Sequence, residues 1–159
     1  MDGTVVKVHQ HASEAKKGGD RAIGNSCGGK TTKIHMLSDA NGNPLKFEIT
    51  EGQVYDIKEA NTLFENCFSD YLINDKGYDC HDFRVKIQEK NIVPIIPLKC
   101  NSNKENLDFD KHLYKMRHVI ENLFSKIKNF RAVATRYDKL KRNYSSMVFM
   151  ACSLVWLRL

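Results

Sequence analysis

Four polar residues in the last third of the chain are spaced to work together: Tyr114, Arg117, Glu121 and Lys128. At about 100° per helical residue, offsets of three, seven and fourteen place them within roughly 60° of one another. Leu113, Ile120, Leu123, Phe124 and Ile127 form an apolar stripe alongside, so such a helix can pack on a sheet and turn its polar edge to a cleft. Glu121 would there join two other carboxylates, Asp2 on the first predicted strand and Asp75 at the end of the fourth. Three carboxylates suit hard divalent cations, which take oxygen ligands. Two Mg²⁺ ions about 4 Å apart can stabilise the negative charge that develops when a phosphodiester is cleaved or transferred. Arg117 and Lys128 could hold a nucleic-acid backbone beside the metals. Tyr114 could stack on a base, donate to a phosphate, or pack in the core.

Each of these residues also has an ordinary reading: Glu121 as the ion-pair partner of Arg117 one turn earlier, Asp75 as a turn or cap residue, Asp2 as a chain end. Their joint placement favours the site. Elsewhere the plainer reading wins. Gly28-Gly29-Lys30 lacks the full spacing of a phosphate loop and reads as a simple loop. His35 reads as a packed or paired strand histidine, and the apolar spacing from Tyr144 to Trp156 as core. Asp79 suits assistance at the site and a helix cap equally.

The elements that position these groups follow from periodicity and turn residues. Thr4 to His9 is β-branched and partly alternating, a strand that begins almost at the first residue. Residues 10–30 read as a loop. Strands Thr31–Ser38 and Pro44–Thr50 flank Asp39-Ala-Asn-Gly-Asn43, where Asn41-Gly42 is expected to supply the positive φ angles of a tight hairpin. Asp56 is placed as the N-cap of a helix reaching about Phe68. Tyr71–Asn74, a helix from about His81 to Lys90, and Ile92–Ile96 make a β-α-β unit. Residues 99–108 read as a loop, followed by helices over about Asp110–Phe130 and Asp138–Leu157. The predicted class is α/β, with a mixed five-stranded sheet and flanking helices in the order of a ribonuclease H-like fold. There, acidic residues from the first strand, the fourth strand and a late helix meet at one end of the sheet.

With 159 residues, 42% hydrophobic and 28% charged, the chain suits a single globular domain of residues 1–159. Its five cysteines are odd in number and never spaced Cys-x-x-Cys, which argues against a disulfide framework or zinc site and for a reducing cytoplasm. The apolar run Met147–Leu157 is too short to span a bilayer. Net charge is +6, and its distribution matters more than its size: residues 111–159 hold eleven basic and two acidic side chains. That is the footprint expected of a polyanion-binding face, although a solvated basic helix gives the same count.

At Tyr114, Arg117, Glu121 and Lys128 the sequence resembles insertion-sequence transposases of the DDE type, whose signature has these residues at this spacing. Four specified residues coincide by chance at roughly one in 10⁵ positions. Asp2-Gly-Thr4, Gly28–His35, Asp39–Pro44, Gly52-Gln53 with Asp56, Asp75–Asp79, Arg117–Glu121 and Ala134–Lys139 also resemble family blocks, in family order. The resemblance implies Asp2, Asp75 and Glu121 as the catalytic, metal-binding triad for two Mg²⁺ ions, with Mn²⁺ as a substitute. It implies double-stranded DNA as partner, both terminal inverted repeats and target, and self-association in a transposition complex. Tyr114, Arg117, Lys128, Arg131, Arg136 and Lys139 are assigned to DNA. Localisation is expected to be cytoplasmic, with the nucleoid, and not in a membrane. Two features depart from the family: Gly24-Asn-Ser-Cys27 stands where arginines are usual, and only Met1 precedes Asp2. A shortened first strand and a loosely held Asp2 are therefore expected; the alternative function is an inactive remnant that keeps only non-specific DNA binding.

Overall fold

The computed structural model describes residues 1–13, 20–99 and 109–158; most of the loop predicted over 99–108, and Cys100, lie outside them. Strands β1 (Asp2–Val8), β2 (Gly24–Ser26), β3 (Gly29–Ser38) and β4 (Pro44–Glu51) lead into helix α2 (Asp56–Phe64), the short helix α1 (Gln10–Ser13) having followed β1. Then come β5 (Tyr71–Ile73), a 3₁₀ turn (Lys76–Tyr78), α3 (His81–Glu89), β6 (Val93–Ile95), α4 (Lys111–Lys115), α5 (His118–Lys128), α6 (Arg131–Ala134), β7 (Thr135–Arg136) and α7 (Lys141–Trp156).

β3 is the hub of a mixed five-stranded sheet. It runs antiparallel to β1, with Asp2 opposite Met36 and Lys7 opposite Thr31, and antiparallel to β4 and β2. β7 lies parallel to β1 on its other side. Successive strand residues point to opposite faces, and the chain uses both. Ile34 and Met36, with Val6, join Ile120, Leu123, Phe124 and Ile127 of α5 and Tyr144, Val148, Ala151 and Cys152 of α7 in one core. Leu37 and Met1 join Ala60, Leu63, Phe64, Tyr78, Phe83 and Ile87 in another. The four buried α5 side chains are worth about 1.5–3 kcal/mol each, against about 0.5 kcal/mol for an exposed helix ion pair; burial holds α5 down.

Several expectations are corrected. The sheet does have five strands, but not the five predicted: β2 and β7 belong to it, while β5 and β6 form a separate parallel pair. Among the described residues, the Met1 ammonium donates to the Ile73 carbonyl at 2.9 Å and links the start of β1 to β5. Asp2, expected to be loose, is the first ladder residue of β1. In the β3–β4 turn only Gly42 has positive φ (+83°), and the Asp39 carboxylate closes the loop by accepting from the Asn41 and Asn43 amides at 2.9 and 2.8 Å. The last predicted helices also differ. Met116, Arg117, Val119 and Ile120 each donate to the third residue back, a 3₁₀ tightening that divides the expected Asp110–Phe130 helix into α4 and α5. In α7, Met147, Phe149, Met150 and Trp156 are exposed, so its apolar stripe is core on one side only.

Arg136, assigned to DNA, is fully buried. Its guanidinium donates to the carbonyls of Arg21, Ala22, Asp138 and Lys139 and to Thr32 Oγ1, and lies 5.0 Å from the Tyr144 ring. Five carbonyl and hydroxyl contacts around a planar fork leave no donor for a phosphate. Arg136→Met should strand those acceptors and lower stability by about 3 kcal/mol or more, measured by denaturant unfolding. A change below about 1 kcal/mol would contradict this role.

Candidate active site

The β1–β3 register sends alternate β1 side chains to opposite faces. Val6 joins the core under α5, and Asp2 and Thr4, at the same parity, face that helix. Two cations of the α5 region grip them. Arg117 Nη1 lies 3.4 Å from Asp2 Oδ2 and 2.5 Å from Glu121 Oε1. Lys128 Nζ lies 2.5 Å from Thr4 Oγ1 and 3.3 Å from the Val5 carbonyl. Residues 115 positions apart in sequence are thus held at one point, and the two carboxylate oxygens are separated by no more than the sum of their distances to Nη1. The Arg117–Glu121 ion pair foreseen as the ordinary reading is present, and it also engages Asp2.

Asp75 follows β5 and caps the 3₁₀ turn, its Oδ1 accepting from the Lys76 amide at 2.5 Å. Its charge is felt at Asp2, Tyr114 and Arg117. Burial raises the Asp2 carboxyl above its ordinary value and Asp75 adds to the rise, against the lowering effects of the Gly3 amide, Arg117 and the amino terminus. Tyr114 is half-buried against Phe109, with ring centroids 5.1 Å apart. Burial pushes its hydroxyl up; Arg117 opposes this, and Asp75, Asp2 and Glu121 reinforce it. Asp2 is 14% exposed, Arg117 22% and Glu121 55%, so the group grades from the sheet edge to solvent. Among the described residues, no three Asp, Glu, His or Cys side chains are gathered closely enough to hold one metal ion as placed. The donor chemistry nevertheless fits a hard cation: all-oxygen ligands, with a carboxyl whose ionisation burial and a like charge disfavour.

The other assigned residues divide. Arg131 and Lys139 are exposed. Lys128 is half-buried, burial lowers its ammonium, and two of its three donors are engaged on β1; it ties α5 to the strand. Asp79 accepts from Arg84 at 2.9 Å and from the Lys99 amide at 2.9 Å, joining α3 to the chain beyond β6, and Cys80 rather than Asp79 is the N-cap of α3.

Sequence reasoning missed a polar cluster on the opposite face. Tyr55, not Asp56, occupies the N-cap of α2. Asp56 instead accepts from Lys33 Nζ at 2.8 Å and sits 3.1 Å from Nδ1 of the wholly buried His35. His35, paired as expected, meets Thr50 Oγ1 through Nε2 at 2.8 Å. The available signal was the alternation that places Lys33 and His35 on one face of β3. Tyr78 Oη, both polar atoms of Asn74, His35 Nδ1 and Asp56 Oδ1 are buried without a well-formed hydrogen bond among the described residues, the last two facing each other at 3.1 Å as an ion-pair contact.

The raised Asp2 carboxyl has a consequence for stability. Folding tightens its hold on a proton, so its contribution is fully present below the ordinary carboxylate range and is lost as pH rises through the raised folded value. Asp2→Asn, which cannot ionise, should therefore raise the melting midpoint at about pH 7 and confer no advantage at about pH 3. An equal or lower midpoint at neutral pH would contradict the assignment.

Comparison with known proteins shows the family of the chain. The Transposase DDE domain matches residues 1–156. A Brucella ovis protein, named as a transposase for insertion sequence element IS6501, is 34% identical over 130 residues, covering 80% of this chain and 99% of that protein. A Burkholderia cepacia protein, named as a transposase for insertion sequence element IS402, is 23% identical over 136 residues, covering 78% of this chain and 62% of the relative. No solved structure matches. With residues 1–156 of the 159-residue chain matched by the family's domain, the chain belongs to the DDE-type transposases of insertion sequences.

Proposed function

We propose that this chain carries out divalent-metal-dependent cleavage and strand transfer of DNA at the ends of an insertion sequence, with Asp2, Asp75 and Glu121 as the ligands of two Mg²⁺ ions. The observation that carries this reading is the meeting of Asp2 and Glu121 on one guanidinium, within the field of Asp75. A ribonuclease H-like fold is part of the proposal, supported by the meander β1–β3–β4, the β5–α3–β6 unit and a late helix packed on one face of the sheet.

When bound, the metals would neutralise charge on the scissile phosphate and activate an oxygen nucleophile. The protein's own groups do the rest. β1 fixes Asp2 in register, the 3₁₀ turn fixes Asp75, and the first turn of α5 fixes Glu121. Arg117 balances two of the three negative charges and keeps the site compact; with Arg131 and Lys139 exposed nearby in sequence, the last third supplies cations for the DNA backbone.

Nicking of a duplex carrying the element's terminal sequence tests the reading. Wild-type chain should nick only with Mg²⁺ or Mn²⁺ present, and Asp75→Asn or Glu121→Gln should reduce the rate by about 100-fold or more while leaving DNA binding intact. Retained, salt-sensitive binding with no nicking by the wild-type chain would overturn the catalytic reading and leave a DNA-binding protein. In the same assay Arg131→Ala should reduce the slope of log affinity against log salt by about one, and Arg136→Met, where it folds, should not change it.

A further inference from the structure

Gly3, paired with His35 in the β1–β3 ladder, faces away from α5 and towards the start of α2. There the Asp56 carboxylate fills the space a side chain would need. A Cβ on Gly3 would lie 2.2 Å from Asp56 Oδ1 and 2.9 Å from Lys33 Cε, so glycine alone lets the carboxylate rest on the strand next to Asp2. On its other side, a Cβ on Gly77 would lie 3.9 Å from Asp56 Oδ2, so the turn that Asp75 caps leaves room for about one methyl group there. One carboxylate therefore rests on the strand segment that presents Asp2 and faces, about one methyl group away, the turn that presents Asp75. It is itself held on two sides, by Lys33 Nζ at 2.8 Å and by the His35 ring at 3.1 Å, the ring being steadied by Thr50.

The geometry points to Asp56 as a positioning residue for the carboxylate site, setting the spacing between the strand that carries Asp2 and the turn that carries Asp75. The inference rests on the reading of Asp2, Asp75 and Glu121 as metal ligands. Asp56 touches neither metal nor DNA in this role; it acts through its close packing on Gly3 and through α2, which neighbours the turn that carries Asp75. A charged group suits the task because its directions are fixed by Lys33 and His35, whereas an apolar side chain of similar volume could fill the space without fixing them. Burial raises the Asp56 carboxyl, yet the contacts with His35 and Lys33 outweigh it and hold the group below its ordinary value. It therefore stays ionised behind the site. Tyr78, two residues beyond Lys76 in the same turn, is buried, which raises its hydroxyl, and the charges of Asp56, Asp2 and Asp75 add to the rise.

Mn²⁺ binding to the purified full chain, followed by the electron paramagnetic resonance signal of free Mn²⁺, tests this without relying on activity. Asp56→Asn should weaken Mn²⁺ binding about 10- to 100-fold, the usual cost of removing a group that orients metal ligands, while metal-free DNA binding stays at the wild-type level. Asp56→Asn leaves Lys33 without its partner, so Lys33→Met/Asp56→Asn is measured beside it. If the double variant recovers the wild-type melting midpoint but not Mn²⁺ affinity, Asp56 positions the site; recovery of both overturns the inference and leaves a stabilising ion pair. Should the Asp56 variants not fold, Gly3→Ala keeps every charge and inserts one methyl between carboxylate and strand. A folded Gly3→Ala chain should lose Mn²⁺ affinity to the same degree, and wild-type affinity there overturns the inference. Asp2→Asn is the control for the underlying reading: wild-type Mn²⁺ binding in that variant removes the metal triad, and the Asp56 role with it.

Discussion

The antiparallel register of β1 on β3 governs almost everything about the site. With Asp2 opposite Met36 and Gly3 opposite His35, Asp2 and Thr4 face α5, and Gly3 faces α2. A slip of one residue would exchange the faces: Asp2 would be driven into the Lys33–His35–Asp56 cluster, and α5 would meet a glycine. The register is enforced by burial, since Val6, Ile34 and Met36 must lie together under α5 and α7 while Leu37 lies under α2. Hydrophobic sorting, several kcal/mol in all, thus sets the position of groups whose own electrostatics oppose being there.

That opposition is the second feature of the site. Burial raises the Asp2 carboxyl and Asp75 adds to it, and Arg117 offsets this only in part. A carboxylate held in this way is one whose ionised form a neighbouring cation would favour. The same sheet carries its charge balance on both faces. Arg117 serves Asp2 and Glu121 on one side, and Lys33 serves Asp56 on the other. Lys128, reaching from the last turn of α5 to Thr4 and Val5, clamps the helix along the strand, so that Glu121 at the near end cannot drift from Asp2.

Much of this was legible in the sequence, for identifiable reasons. The β3–β4 hairpin, α2, α3 and α7 carry strong periodicity and clear turn residues, and the helical stripe from Tyr114 to Lys128 placed Glu121 on the correct face. What was not legible depends on tertiary partners. β7 is a two-residue strand whose pairing with β1 has no local signal, and β5 and β6 are short enough that nothing in them specified a separate sheet. The 3₁₀ turn at Met116 and Arg117 leaves the apolar pattern nearly unchanged. Arg136 looked like a surface cation because arginine usually is one, and its acceptors are mainly backbone carbonyls, which have no identity in a sequence. Asp56 matches a capping position, and its partners across the sheet, Lys33 and His35, are more than twenty residues away in sequence and leave no local signal.

The central claim is that Asp2, Asp75 and Glu121 share divalent cations. Anomalous diffraction from crystals of the chain grown with Mn²⁺ would test it most directly. The expected result is anomalous density bounded by the carboxylates of these three residues, with Arg117 displaced from between Asp2 and Glu121. Mn²⁺ density elsewhere on the protein, with the Asp2–Arg117–Glu121 bridge intact at saturating metal, would contradict it.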